Sequence, residues 1–207
     1  MTPKQRERVF VVDDDEGVRQ GLKALLTVEG YDVQTFESAE SFLAAVDPKV
    51  SGWLLLDVRM PGMSGLEMQR QLKRAGSRLA IIIITGHGDV PMAVTALKAG
   101  AVDFIEKPFD KDDILAAIGS VRQLGAAAPP AAARTAVVSA VGRLTPRERE
   151  VMELVVAGHA NKVIAHRLKI ALRTVEIHRA RVMEKTGARN LSELVRMAIL
   201  LEGQAST

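Results

Sequence analysis

One feature constrains the fold of this sequence more than any other: short apolar runs alternate strictly with helix-period segments, five times over, between residues 9 and 124. Val9–Val12, Tyr31–Phe36, the run that ends Leu54-Leu55-Leu56-Asp57, Ala80–Ile84 and Ala101–Ile105 are of strand length. After the first strand, Val18, Leu22, Leu25 and Leu26 share one helical face and Gly30 closes the helix. The later helices are predicted over Ser38–Val46, from Ser64 to about Arg74, over Val90–Ala99 before Gly100, and over Asp110–Leu124. Five βα units in succession predict an α/β doubly wound, five-stranded parallel sheet with helices on both faces.

In open sheets of this kind, reactive groups collect beyond the carboxyl ends of the strands. Those ends carry Asp13-Asp14, Asp57, Thr85 and, after the last strand, Lys107-Pro108. Asp57 precedes Pro61-Gly62, a sharp turn, and taken alone it reads as an ordinary strand-end turn former. Its potential partners change that reading. Three carboxylates at one rim repel one another unless a cation joins them, and all-oxygen ligation suits Mg²⁺. A divalent ion beside a free carboxylate oxygen is what phosphoryl transfer requires, and carboxylates do form aspartyl phosphates. Lys107 adds a mobile positive charge and Thr85 a hydroxyl donor. Asp15 and Glu16 read as acids at a helix N-terminus, and His87 as a polar loop residue.

The remainder of the chain has a different character. A length of 207 residues accommodates two small domains. Residues 1–125 hold 15 Lys and Arg against 18 Asp and Glu, whereas residues 126–207 hold 13 against 7. A mildly acidic half followed by a basic half points to a nucleic-acid partner for the second. With no Cys, disulfides and thiol chemistry are excluded, and no apolar run approaches a membrane span. The Ala-rich stretch around Pro129-Pro130 predicts a linker, partly helical and partly extended, over residues 123–141.

Beyond the linker, Thr145-Pro146-Arg147-Glu148 is a dense helix start. Helices are predicted from there to Gly158, over Asn161–Leu168, over about Leu172–Thr186, and from Asn190 onward with Leu194, Met197, Ala198 and Leu201 inward. A small all-α four-helix domain results. Its second and third helices, joined by a tight turn, fit a helix-turn-helix.

Residues 8–124 resemble a response-regulator receiver domain, through the Asp13-Asp14 pair, LLLDVRMPGMSG around Asp57, ITGHGD at Thr85 and KPF at Lys107. The resemblance implies that Asp57 is the phosphoacceptor. Asp14 would ligate Mg²⁺ directly, Asp13 mostly through water, and the Arg59 backbone carbonyl would complete the protein's share. Lys107 would pair with the phosphoryl group, Thr85 would move onto it, and Phe104 would be the aromatic switch residue. The second half is similar to the LuxR/NarL-type output domain, and the whole chain to the FixJ subgroup of regulators. Residues 1–122 would be the receiver, 123–141 the linker and 142–207 the DNA-binding domain.

By helical position on the third helix of that domain, Glu176, Ile177 and Ala180 should face base edges, while Arg173, Thr174, His178, Arg179, Arg181 and Lys185, with Lys162 on the second helix, are the candidates for phosphate contacts. A sensor histidine kinase, promoter DNA, a second phosphorylated copy and RNA polymerase are the implied partners, in the cytoplasm. No enzymatic activity is implied beyond the receiver's own phosphorylation and slow dephosphorylation. The residues alone leave open a phosphorylation-independent DNA binder, an acyl-phosphate hydrolase and an RNA binder. One departure from the family concerns helix ends. Ala160 and Ala171 stand where Ser is usual, and each loss of a capping hydroxyl costs about 1 kcal/mol.

Overall fold

A computed structural model describes residues 6–86, 90–124 and 131–202. The chain divides into two compact units, Met1–Gly88 with Ala99–Gln123, and Asp89–Lys98 with Leu124–Thr207. In the first unit the strands β1 (Arg8–Val12), β2 (Asp32–Phe36), β3 (Ser51–Asp57), β4 (Arg78–Thr85) and β5 (Asp103–Glu106) form one parallel sheet in the order β2-β1-β3-β4-β5. The helices α1 (Glu16–Val28), α2 (Ala39–Ala45), α3 (Gly65–Arg74), α4 (Val90–Lys98) and α5 (Lys111–Leu124) alternate with them along the chain. The expected α/β doubly wound sheet is therefore present. By its contacts α4 groups with the second unit, a division that residue-by-residue patterning does not anticipate.

The sheet forms because its central strands are apolar on both faces. One face sends Val9, Val11, Leu55, Ile82 and Ile84 into a core with Leu22, Leu26, Ile114 and Ile118. Each such side chain contributes roughly 1.5–3 kcal/mol when fully buried. Phe10 alternates away from that core and meets Phe42 edge-on at 5.5 Å, and Phe42 meets Phe36 at 5.2 Å. Register fixes what emerges at the rim. Val12 lies opposite both Phe36 and Leu56, Asp57 opposite Ile84, and Thr85 opposite Glu106. The residues that follow β1, β3 and β5 consequently leave the sheet together.

Helix starts in this unit are encoded locally. Asp15 caps α1 by accepting from the N–H groups of Gly17 and Val18. Ser38 and Ser64 each form a reciprocal capping box, with Ser41 and Glu67 respectively.

The second unit contains α6 (Ala131–Gly142), α7 (Pro146–Val156), α8 (Asn161–Leu168), α9 (Leu172–Thr186) and α10 (Leu191–Glu202). Its core joins Val137, Val141, Leu144, Val151, Val155, Ile164, Val175, Val182, Leu194 and Ala198. The stretch read as a partly helical linker is helical in its second half, and that helix joins the core. Residues 131–142 are one helix, because Val137 and Val141 at helical spacing find an apolar surface to bury against. Pro129-Pro130 lies outside the described residues. Among the described residues, no helix is long and apolar enough to cross a membrane.

The ends of these helices are unevenly capped. Thr145 and Glu148 form a capping box on α7. Ala160 and Ala171, at the N-caps of α8 and α9, offer no side-chain hydrogen bond. Between these two helices the chain turns through Lys169 in the left-handed region, at φ 53°.

The box on α7 also reaches across to α9. Glu148 is 2 % exposed, and its Oε2 accepts from the Thr145 N–H at 2.8 Å and from the Lys185 ammonium at 2.6 Å. The Lys185 hydrogen bond, followed by the Thr145 N–H, outweighs burial and holds the carboxyl at about 2, against an ordinary 4.5.

Two expected outcomes follow from these ends. Ala160→Ser and Ala171→Ser should each raise stability by about 1 kcal/mol in urea unfolding, and unchanged midpoints would show that the caps are satisfied otherwise. Because Glu148 titrates lower when folded than when unfolded, its stabilisation is complete above pH 4.5 and lost as pH falls towards about 2. Denaturant curves of Glu148→Gln and the parent should thus diverge most near neutrality and converge in acid. A gap that stays constant down to the acid limit would contradict this.

Candidate functional site

The rim of the first unit gathers Asp13, Asp57 and Lys107 into one cluster. Asp13 follows β1 and is 2 % exposed, and Asp57 ends β3 at 5 %. The Lys107 ammonium donates to Asp13 Oδ2 at 2.6 Å and to Asp57 Oδ1 at 2.9 Å. Asp57 Oδ2 accepts the Arg59 N–H at 2.6 Å, and Asp13 Oδ1 accepts the Asp15 N–H at 2.9 Å. The peptide between Lys107 and Pro108 is cis. Behind Asp57 the packing is tight, since a Cβ on Gly65 would stand 2.1 Å from the Asp57 carbonyl oxygen, so only glycine fits there.

Two buried carboxylates share one ammonium, which leaves the cluster short of positive charge. Burial pushes the Asp57 carboxyl above its ordinary value; Lys107 pulls against that rise, and the charge on Asp13 adds to it. Burial alone would lower Lys107, but its hydrogen bonds to Asp13 and Asp57 and their charges prevail, so it too is raised. The two rises differ in origin, burial for Asp57 and the paired carboxylates for Lys107, but two carboxylates against one ammonium leave the cluster net negative and open to a cation. The carboxylate oxygens of Asp13 and Asp57, net negative even with Lys107 beside them, are donors of the kind that a hard divalent ion such as Mg²⁺ takes.

The structure does not bring together everything expected there. Asp14 is exposed, and among the described residues no three His, Cys, Asp or Glu side chains converge on one point. Lys107 holds the centre instead, with Asp14 at the edge. Thr85 is placed by its backbone alone, beside Glu106 in the sheet, and its side chain and His87 lie outside the described residues. Phe104 is half-buried in β5.

One contributor escaped sequence reading. Arg19, on α1, donates from one guanidinium nitrogen to the carbonyls of Asp13 at 2.8 Å and Asp14 at 2.9 Å, fixing the loop that presents both acids. Its spacing, one turn past the Asp15 N-cap, was the available signal.

In the second unit, α9 exposes one continuous stripe. Arg173, Glu176, Ile177, Ala180 and Arg181 are exposed, as is Glu184, which sequence reading did not select. Arg173 pairs with Glu176 at 3.2 Å on that surface. Lys162 is exposed on α8, and Thr174 is half-buried.

Three residues expected to touch phosphates turn inward instead. Lys185 is bound to Glu148 at 2.6 Å. Arg179 donates to Asn161 Oδ1 at 2.6 Å, and burial lowers its guanidinium. His178 is half-buried, with Nδ1 closed off and without a hydrogen-bond partner. Their positions explain this. Positions 178 and 179 lie three and four residues beyond the buried Val175, on the same flank as the buried Val182.

Comparison with known proteins accords with both halves. Residues 9–119 match the response regulator receiver domain family, and residues 142–198 the bacterial regulatory proteins of the luxR family. Transcriptional regulatory protein FixJ of Azorhizobium caulinodans is 49% identical, over 93% of this chain and 92% of its own. FixJ of Bradyrhizobium diazoefficiens is 46% identical, over 92% and 94% respectively. Among solved structures, full-length FixJ from B. japonicum is similar at a TM-score of 0.53 and 45% identity, covering 95% of this chain and 98% of that one. Matched along nearly its whole length, the chain belongs to the FixJ-like response regulators, transcription regulators that join a receiver to a LuxR-type DNA-binding domain and act in dependence on phosphorylation.

Proposed function

We propose that Asp57 accepts a phosphoryl group from a sensor histidine kinase and that this drives pairing of receivers and gripping of promoter DNA by α9. The observation that carries the reading is the Lys107 ammonium suspended between two buried carboxylates at the strand rim. In the transfer a carboxylate oxygen of Asp57 bonds to phosphorus while the phosphorus–nitrogen bond of the kinase phosphohistidine breaks. Lys107 then has a phosphoryl oxygen to hold, and the Arg59 N–H keeps the other Asp57 oxygen oriented.

Receivers generally bind Mg²⁺ at the phosphorylation site. Here Asp13, Asp14, Asp57 and the Arg59 carbonyl would hold the ion, which when bound supplies charge compensation for the incoming anion. Thr85 and Phe104 are the switch pair that carries the change outward. The functional division is residues 1–122 as receiver and 142–207 as DNA-binding domain. Two receivers held together raise the effective concentration of the second DNA-binding domain at an inverted repeat. RNA polymerase is the downstream partner, and the cytoplasm the place of action.

On α9 the exposed stripe enters the major groove. Glu176, Ile177 and Ala180 point to bases, and Arg173, Arg181 and Lys162 to phosphates. Thr174 stands beside them. His178, Arg179 and Lys185 support the helix from behind.

With Mg²⁺ and a phospho-donor, the parent should acquire an acid-labile adduct and Asp57→Asn should not; labelling of the variant at normal yield would overturn the assignment. Arg181→Ala should weaken operator binding about equally for all sequences and reduce the salt slope by about 1. An unchanged slope would remove Arg181 from the phosphate contacts.

A further inference from the structure

Between Asp57 and α3 the chain runs through a loop, residues 58–64, that the chemistry of the rim cluster depends on. Near its start, the Arg59 N–H reaches Asp57 Oδ2 at 2.6 Å. At its end, the Gly65 N–H bonds the Val58 carbonyl at 3.0 Å and Ser64 closes a capping box with Glu67. These are contacts of the loop with itself and with the helix it leads into. The middle of the loop is held from elsewhere. Glu40, in the first turn of α2, accepts the Met63 N–H on Oε1 at 2.8 Å. A Cβ on Gly62, which sits at φ 78°, would fall 2.8 Å from that oxygen.

Glu40 is suited to act as a fixed anchor. It lies in the first turn of α2, where the helix dipole favours a negative charge. Its own backbone N–H and then that of Met63 stabilise the ionised form and lower its pKa, so the charged acceptor persists through the physiological range. The mechanism above does not use Glu40, and no motif singles it out.

We propose that Glu40 is a positioning residue for phosphoryl acceptance: by holding the Met63 N–H, next to Gly62, it keeps residues 58–64 in the geometry that aims the Arg59 N–H at Asp57. This rests on Asp57 being the acceptor. It acts on the loop and touches neither substrate nor the reacting atoms. An intact clamp presents the loop ready-made; a broken one leaves it to be ordered in each turnover.

The test uses the full chain with Glu40→Ala, Glu40→Gln and Glu40→Asp, and Asp57→Asn as a control. Four readouts are taken: labelling rate with saturating acetyl phosphate and Mg²⁺, calorimetric affinity for Mg²⁺ alone, hydrogen exchange at the Met63 amide, and thermal midpoint. Glu40→Ala should slow labelling about tenfold, the scale of one charge-assisted hydrogen bond. It should also weaken Mg²⁺ binding severalfold and speed Met63 exchange, while leaving the midpoint within about 2 °C, as for an exposed position. Glu40→Gln, which keeps both the reach and an acceptor oxygen, should restore labelling to within about twofold, whereas the shorter Glu40→Asp should not.

Should Glu40→Ala fail to fold, the contrast between Gln and Asp decides alone. Labelling at the parental rate in Glu40→Ala or Glu40→Asp, still dependent on Asp57, would overturn the inference. So would losses that only follow the thermal midpoint in every variant. Labelling that persists in Asp57→Asn would instead remove the acceptor reading itself, and this inference with it.

Discussion

A single ammonium held between two buried carboxylates is the interaction on which the first unit turns. Asp13 and Asp57 arrive at the rim because β1 and β3 are neighbours in register, and Lys107 arrives because β5 ends at the same rim. Bringing two like charges out of water costs several kcal/mol per ion unless something compensates. Lys107 compensates one of them. One negative charge is left over, while burial raises the Asp57 carboxyl and the two carboxylates raise Lys107. On the proposed reading that leftover charge is functional. It draws in a divalent ion, and an arriving phosphoryl group gives the ammonium a new partner, so the cluster has two arrangements. A switch needs such a bistable element.

The second unit presents one exposed face of α9 while its other face packs into the domain core. Of the cations on α9, Lys185 and Arg179 serve the scaffold, bound to Glu148 and Asn161 on neighbouring helices. The stripe that remains, Arg173 to Arg181, mixes two guanidinium groups with Glu176, Ile177 and Ala180. On the proposed reading, cations there give sequence-independent grip, and the residues between them discriminate bases. The missing hydroxyls at Ala160 and Ala171 take stability from the same two helices. Contacts from behind, including the Arg147 guanidinium on the Leu168 carbonyl that ends α8, help to hold the turn.

The order of strands and helices could be read from the sequence because each element carries its own period and its own stop. Leu54–Leu56 is apolar throughout and therefore buried on both faces, while Ser64 and Thr145 announce their helices with capping boxes. The rim residues were legible for the same reason, since a parallel sheet delivers its strand ends to one edge. What could not be read depends on tertiary partners. Residues 131–142 look like Ala-rich linker until Val137 and Val141 find the core beyond them. Lys185 looks like a phosphate contact until Glu148, on a different helix, is seen to claim it. Arg19 and Glu40 contact loops through backbone atoms, so the partner's residue type carries no signal, and for Arg19 only its spacing from Asp15 does.

On the proposed function, chemistry in the rim of the first unit governs DNA binding by the second. The most direct measurement is the affinity of the wild-type full chain for its operator duplex at fixed salt, with and without beryllium trifluoride, a phosphoryl mimic, in the presence of Mg²⁺. Binding should be tighter and dimeric when the mimic is present. Equal affinity and stoichiometry in both conditions, with the mimic shown to be bound at Asp57, would contradict it.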